Sequence, residues 1–292
     1  MNALEIVDAV IQGVLLGGFY ALFASGLALS FGIMRLVNIA HGDFITAAGY
    51  LALAAVAASG MPSFATFTVV VPCLALAGWL LQRYLLGPIM TNDVMAPLLV
   101  TFGLSIIIQN LLLEIFSADS KGLHAGAIET ASISLGYGLA IGWYPLVIFI
   151  TAVLVIAGLE LLFATTKIGR SFRAVSDNPR VSQLMGINNQ RVFAAAMALA
   201  TAIVGIAGVL VAIRTTFTPS IGPSRLLFAF ESVIIGGMGS LWGTLAGGVI
   251  LGVAQSLGLR YNPGWGVLTG HLAFLAVLLI RPQGLFPKTR ME

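Results

Sequence analysis

The sequence predicts an all-α polytopic membrane protein with about eight or nine transmembrane helices, one or two of them short and broken or re-entrant. Charged residues make up only 9% of the 292 residues and hydrophobic residues 59%, and the mean hydropathy is +1.02. A typical soluble domain has about 25% charged residues. The apolar residues also form runs that reach the roughly 20 residues needed to cross a bilayer. Much of this surface therefore requires lipid as its solvent.

Eight apolar runs are the candidate spans, and they follow one another along residues 1–292 as a single transmembrane domain. A ninth run, 226–239, is too short to span comfortably and contains Glu231, which is typical of a broken or re-entrant helix. The polar stretch 38–44 is a second candidate break. The eight runs cover residues 9–33, 44–60, 63–82, 94–116, 142–164, 191–214, 241–259 and 264–281.

The 34 glycines recur at helical spacings. Gly13 and Gly17 lie four residues apart in the first run, and glycines are dense from Gly239 to Gly252. Small residues let helix backbones approach closely in a membrane, where no hydrophobic force drives helices together. The pattern predicts close helix packing, most of all along 239–252.

The polar connection 165–191 contains five basic residues and one acidic residue, Asp177. This excess of positive charge predicts a cytoplasmic location. A short helix is expected from Ser171 to Met185, with Gly186 as its stop, unless Pro179 divides it into two turns. From the residues alone, a charged loop that sets the topology is favoured over a helix that docks into a partner.

The stretch VNIAHGDF (37–44) places three polar side chains between apolar runs. On a helix Asn38 and His41 share a face, whereas Asp43 is turned by about 200° from His41. The three converge only if the backbone breaks at Gly42, which we expect to be a hinge. A polar group at membrane depth is functional by default because placing it there is costly.

The same argument applies to Glu231, the acidic residue of the short run. Its alternative interpretation is an ion pair with Arg225 or Arg214 near the outer interface. His271 stands alone in the last run and is expected to be a structural histidine.

The residue inventory excludes several classes of function. Cys73 is the single cysteine, which excludes an internal disulfide and a cysteine-based metal site. No basic run is interleaved with aromatic residues, so no nucleic acid partner is expected. Neither H-E-x-x-H nor G-x-S-x-G occurs, so we expect no catalytic residues, no metal and no enzyme activity. An ion-coupled secondary transporter is an alternative, although no ion-coupling cluster is evident.

Four motifs carry a resemblance to a known family. GRSFRAVSDNPRVSQLMGIN (169–188) closely resembles the cytoplasmic coupling loop of permease subunits from branched-chain amino acid ABC transporters, the LivH/LivM family. VNIAHGDF, FAFESVIIGGMGSLWGTLAGGVILG (228–252) and RPQGLF (281–286) resemble further motifs of that family, in the same order. The chain is more similar to the LivH-like members. Ser182 stands near a position where the family usually has alanine.

The resemblance implies a permease subunit of a binding-protein-dependent ABC importer in the bacterial inner membrane, with branched-chain (hydrophobic) amino acids as substrates. Urea, short amides or aromatic acids are the alternative substrates. The implied partners are a second permease subunit (LivM-like) or a second copy, two cytoplasmic ATPases, a periplasmic substrate-binding protein and membrane lipid. The sequence has no G-x-x-x-x-G-K-[ST], so the separate ATPases are expected to hydrolyse ATP and no cofactor is expected here.

The resemblance also divides the candidate residues into two sets. The residues expected to couple to the ATPase are Arg170, Arg173, Asp177, Asn178 and Gly186. The residues expected to line the substrate pathway are Asn38, His41, Asp43, Glu231, Gly236 and Gly237.

Overall fold

A computed structural model describes residues 2–90, 95–136 and 138–286. Most of these residues are helical, which confirms the all-α prediction. Residue 94, the predicted start of the fourth span, lies outside the described residues. The helices are α1 (Ala3–Met34), α2 (His41–Ser59), α3 (Phe67–Leu80), α4 (Met95–Phe116), α5 (Trp143–Thr165), α6 (Lys167–Asp177), α7 (Pro179–Leu184), α8 (Asn189–Arg214), α9 (Gly222–Gly236), α10 (Leu241–Tyr261) and α11 (Gly266–Ile280).

Among the residues that the structure describes, seven helical segments are long and apolar enough to cross a membrane, and they confirm a multi-pass protein. α3 is extended by short 3-10 and π turns at its ends, so that the third segment runs continuously over Ser63–Ile89. The predicted eighth span forms α11, and the short run forms α9. Both contain 15 residues, fewer than a full span requires. The other candidate spans are α1, α2, α4, α5, α8 and α10.

One small β-structure lies in the predicted loop between the fourth and fifth spans. β1 (Ser132–Gly136) pairs with β2 (Leu139–Gly142) in an antiparallel arrangement, with Ser132 opposite Gly142 and Ile133 opposite Ile141. α5 begins directly after β2. The loop is therefore more ordered than a solvated connection.

The chain folds into two compact units that are interleaved along the sequence. Unit 1 contains the described parts of Met1–Ala28, Ala125–Ile156 and Leu227–Glu292. Unit 2 contains those of Leu29–His124 and Ala157–Leu226. α1, α5 and α9 each begin in one unit and end in the other.

In unit 1, α1 and α10 pack backbone against backbone. A methyl group on Gly13 would lie 2.5 Å from Cα of Val253, and one on Gly252 would lie 2.5 Å from N of Gly17. No side chain larger than hydrogen fits unless a helix moves. The close packing predicted from the glycine spacing is confirmed, and the partner of the first glycine pair is α10.

In unit 2, α8 is the most deeply buried long helix. It packs against α2, where a methyl group on Gly208 would overlap Ala48, and against α3, where one on Gly78 would overlap Thr201. Small residues on both sides of each contact therefore set how closely these helices approach.

Candidate functional site

The first buried polar cluster lies in unit 2 and centres on Asp43, in the first turn of α2. Asp43 is only 1% exposed. Its Oδ2 accepts a hydrogen bond of 2.5 Å from Oγ of Ser105 on α4. Nε2 of Gln109, one turn further along α4, donates to the same Oγ at 3.1 Å. We call Asp43, Ser105 and Gln109 the Asp43 cluster.

The second oxygen of this carboxylate faces another helix of unit 2. A methyl group on Gly222, the first residue of α9, would overlap Oδ1 of Asp43. The carboxylate therefore lies at the N-terminal ends of both α2 and α9, where the helix dipoles favour negative charge. Asp43 joins three helices by one side chain.

The α4 side of this cluster is a feature that sequence reasoning missed. Thr101, Ser105 and Gln109 follow one another at intervals of four, which places them on one helix face. Thr101 and Ser105 are buried, and Oγ1 of Thr101 accepts a hydrogen bond of 3.2 Å from N of Ile39. Many apolar side chains on the remaining faces of α4 are exposed. Three polar residues at this spacing in an apolar run were the available signal for an inward polar face.

Asn38 and His41 form the turn that precedes α2. Residues 35–40 are not helical. Oδ1 of Asn38 accepts from N of Ala40 at 3.0 Å, and its carbonyl oxygen accepts from N of His41 at 3.1 Å. Both side chains are buried. Asn38 therefore satisfies the backbone of the break, and His41 begins the helix.

The expected hinge at Gly42 is wrong, because Gly42 lies inside the first turn of α2. The break comes earlier, where Arg35 has a φ of 52°. Gly42 serves a different purpose: a methyl group there would overlap the carbonyl oxygen of Gly222. The glycine permits close contact between two helix ends.

The second buried polar cluster lies in unit 1 and centres on Glu231 of α9, which is 2% exposed. Its Oε1 lies 2.5 Å from Nδ1 of His271 on α11. Glu231 thus contacts His271 and not the arginine considered from the sequence. α11 brings the imidazole directly to the carboxylate, which agrees with the expectation of a structural histidine. The two residues are 40 positions apart.

Aromatic and amide side chains surround this acid–histidine pair. The ring of Phe228 stacks on His271, with centroids 6.1 Å apart and an interplanar angle of 10°. Phe228 also contacts Tyr20 of α1, at 5.1 Å between centroids. The hydroxyl of Tyr20 donates to Oε1 of Gln255 on α10 at 2.6 Å. We call these five residues, which connect four helices of unit 1, the Glu231 cluster.

Gly236 and Gly237, the other expected pathway residues, end α9. A methyl group on Gly236 would overlap the backbone of Gly243 at the start of α10. Gly237 has a φ of 98° and Gly239 a φ of 83°, values that glycine adopts without strain. Close packing and a tight turn thus account for both glycines.

The coupling segment α6–α7 consists of two short helices, which confirms that Pro179 divides it. Asn178 separates them, and its Oδ1 accepts from N of Arg180 at 3.1 Å and from N of Val181 at 3.0 Å. This is an N-cap with proline in the first helical position. Gly186 ends the segment with a φ of 84°.

One face of the coupling segment is anchored in unit 2. Phe172 and Val175 are buried, and Oγ of Ser176 donates to the carbonyl oxygen of Gly32 at 2.6 Å. Arg173 donates to the carbonyl oxygen of Phe163 near the end of α5. Of the five expected coupling residues, Arg173, Asn178 and Gly186 therefore shape the segment, while Arg170 and Asp177 are exposed.

The α7 end of the coupling segment carries exposed apolar side chains that sequence reasoning missed. Leu184 is 87% exposed and Met185 is 79% exposed, and Val181 is also exposed. We call these three residues the apolar tip. Apolar side chains grouped together on an exposed helix are typical of a surface that another molecule covers.

Metal binding finds no support in the part of the chain that the structure describes. Within residues 2–90, 95–136 and 138–286, no group of three His, Cys, Asp or Glu side chains could hold a metal ion. Both clusters instead pair one carboxylate with hydrogen-bond donors.

A protein-family model described as "Branched-chain amino acid transport system / permease component" matches residues 9–280. The chain belongs to this family. The family is a membrane permease component and not an enzyme.

Curated relatives extend the match over nearly the whole chain. The permease is 28% identical to the high-affinity branched-chain amino acid transport system permease protein BraD of Pseudomonas aeruginosa, covering 98% of this chain and 97% of BraD. It is 26% identical to the permease protein LivH of Escherichia coli, over 99% and 98% of the two chains. It is 25% identical to LivM of the same organism, over 94% of this chain and 69% of LivM. Such permeases work with another permease subunit in a transporter complex.

Proposed function

We propose that this chain is the membrane-spanning subunit of a binding-protein-dependent ABC importer for branched-chain amino acids, located in the bacterial inner membrane. The match of residues 9–280 to a branched-chain amino acid permease family carries this proposal. BraD and LivH, which match this chain along their whole length, are named for that transport system. The proposed partners are a LivM-like permease or a second copy, two ATPases and a periplasmic binding protein.

The coupling segment α6–α7 is the proposed docking site for the ATPase. Its apolar tip provides burial, and fully burying each such side chain contributes about 1.5–3 kcal/mol. Arg170 and Asp177, both exposed, would supply complementary charge at the rim. Arg173, Asn178 and Gly186 keep the two helices in the conformation that presents the tip. Movement of the ATPases would then reach α5 and α8, which flank the segment.

The two polar clusters are the proposed contacts of the substrate pathway. Asn38, His41 and Asp43 in unit 2 and Glu231 in unit 1 provide buried polar side chains. Gly236 and Gly237 in unit 1 form the turn that follows α9. A carboxylate suits the ammonium group of an amino acid, and the apolar surroundings suit a branched side chain. Ser105, Gln109 and His271 join this set because they hold the two carboxylates.

Reconstitution tests the proposed function. The permease complex, its ATPases and its binding protein are placed in liposomes, and uptake of radiolabelled leucine is measured with internal or external ATP. We expect uptake that requires ATP and binding protein, and that isoleucine and valine inhibit. Uptake that a proton or sodium gradient drives without ATPase would contradict the proposal, as would competition by urea, acetamide or benzoate but not by isoleucine or valine.

Changes at the apolar tip test the docking site. Leu184→Ser with Met185→Ser should weaken binding of the ATPase at least about tenfold, since tenfold corresponds to about 1.4 kcal/mol. Ile168→Ser is the matched control, because Ile168 is an exposed apolar residue of α6 outside the tip. Binding is measured by titrating purified ATPase onto the permease in nanodiscs. Equal affinity of the double variant and the native permease would refute docking through the tip.

A further inference from the structure

The closing motif 281–286 has a structural partner that the transport function does not explain. It follows α11 and returns to the C-terminal end of α9, within unit 1. N of Leu285 donates to the carbonyl oxygen of Ile235 at 2.9 Å, and N of Phe286 donates to that of Gly236 at 2.9 Å. The last two carbonyl groups of α9 thus bind a segment 50 residues further along the chain, counted from 235 to 285.

The two preceding carbonyl groups of α9 bind locally. Val233 and Ile234 both accept hydrogen bonds from N of Gly237, at 2.9 and 3.1 Å. A helix leaves its last four carbonyl groups without partners in the helix itself. In α9 the chain beyond the helix satisfies two of them and the closing motif satisfies the other two, so the helix end depends on both.

Gly284 brings the closing motif into this position. It has a φ of 79°, which favours glycine. A methyl group on Gly284 would also lie 2.5 Å from both Cα of Gly237 and the carbonyl oxygen of Ile234. Two glycine backbones therefore touch at the end of α9, and a side chain on Gly284 would push the motif away.

The helix that receives these bonds is short and carries a buried carboxylate. α9 has 15 residues, and Glu231 lies five positions before Gly236. Unsatisfied carbonyl groups inside a membrane protein cost several kcal/mol, so a helix end of this kind needs donors. The closing motif supplies them from main-chain groups, whatever its own side chains are.

We propose that the segment Arg281–Phe286 is a positioning element for α9. It caps the helix from a distant part of the chain and thereby fixes the end of the helix that carries Glu231. This role does not depend on which substrate the permease transports. The hydrogen bonds of the cap are measured without substrate. A negative result for the cap can therefore be distinguished from a failure of the proposed transport function.

Amide hydrogen exchange measures the cap directly. The complete permease complex in nanodiscs is labelled in D₂O, and peptides containing residues 284–286 are followed by mass spectrometry. We expect the Leu285 and Phe286 amides to exchange at least about tenfold more slowly than in an unfolded peptide. Exchange requires the hydrogen bond to open, and one hydrogen bond lowers the population of the open state by about that factor. Exchange of both amides at the unfolded rate would overturn the cap.

Proline and alanine variants separate the main-chain donor from the side chain. Leu285→Pro and Phe286→Pro each remove one N–H group, whereas Leu285→Ala and Phe286→Ala keep it. We expect uptake per folded complex to fall about tenfold in the proline variants and to remain near the native level in the alanine variants. Equal uptake in each proline and alanine pair would overturn the positioning role.

Two further variants keep the test decisive if the proline variants do not fold. An amide-to-ester exchange at Leu285 removes the N–H group without adding a ring, and is expected to lower uptake in the same direction. Gly284→Ala is compared with Gly126→Ala, which has nearly the same φ, 77°, and no neighbour within 4 Å of an added methyl group. The proposal predicts faster exchange at 285–286 and lower uptake for Gly284→Ala only. Equal behaviour of the two alanine variants would contradict it.

Discussion

The Asp43 cluster and the Glu231 cluster differ in the chemical group that contacts the buried carboxylate. Each buries one carboxylate, and each carboxylate has a partner at 2.5 Å. The partner of Asp43 is the hydroxyl of Ser105, which stays neutral. The partner of Glu231 is the imidazole of His271, an aromatic ring whose nitrogens donate or accept according to the tautomer. The first cluster binds the carboxylate to a small hydroxyl on α4, whereas the second binds it to a ring on α11.

Burial of the partner side chain differs between the two clusters. Ser105 and Asp43 are both buried, whereas the side chain of His271 is 33% exposed and that of Glu231 is 2% exposed. Both sides of the Asp43 contact are therefore enclosed by protein, whereas in the Glu231 contact only the carboxylate side is enclosed.

Removal of the Asp43 carboxylate should have the largest effect. Asp43→Leu leaves the buried Ser105 hydroxyl without its acceptor and costs about 1.5–3 kcal/mol, as for hydrogen bonds to charged groups. Asp43→Asn keeps an acceptor oxygen and should cost less. The melting temperature of the detergent-purified permease measures the loss, with Asp119→Asn as a control at an exposed carboxylate. Equal melting temperatures for Asp43→Leu and the control would show that the Asp43 contact does not stabilise the fold.

Changes at His271 should have a smaller effect on stability, because the imidazole is partly exposed. His271→Leu removes the donor to Glu231, while His271→Asn places an amide near the position of Nδ1. We expect the asparagine variant to recover most of the uptake that the leucine variant loses.

Uptake of radiolabelled leucine per folded complex measures this recovery. Equal uptake by the leucine and asparagine variants would contradict a role for the contact between His271 and Glu231.

Truncation of Ser105 should have the smallest effect. Ser105→Ala removes a single neutral donor, and such a bond contributes about 1 kcal/mol. Gln109 remains beside Asp43 and limits the loss. The melting temperature should fall by less than in Asp43→Leu, with Ser59→Ala as the control at an exposed hydroxyl at the end of α2. A larger fall than in Asp43→Leu would show that the hydroxyl, not the carboxylate, is central.

The sequence predicted the helices better than their contacts. Apolar runs located all the long helices because lipid demands about 20 apolar residues wherever a helix crosses. Gly13 and Gly17 predicted close packing, but spacing within one helix carries no information about the partner, here α10. Pro179 correctly marked a division in the coupling segment, because proline favours the first turn of a helix.

The candidate site was only partly readable for the same reason. Asp43 and Glu231 are conspicuous as acidic residues in apolar runs, and both are buried. Their partners Ser105 and His271 are 62 and 40 positions away, and only the tertiary fold brings them together. The apolar tip was missed because Leu184 and Met185 resemble the buried side of a helix until the structure shows which side is anchored.

The length of α11 has a consequence for the membrane itself. At 1.5 Å per residue, its 15 residues extend about 22 Å, against a hydrocarbon layer of roughly 30 Å. A helix shorter than the hydrocarbon layer is accommodated by thinning of the bilayer, by snorkelling of flanking residues or by oligomerisation, at a cost of a fraction of a kcal/mol per ångström of mismatch. The free energy of the folded permease thus depends on the acyl-chain length of the surrounding lipid. A thinner bilayer favours the conformation in which the polypeptide turns back after Ile280.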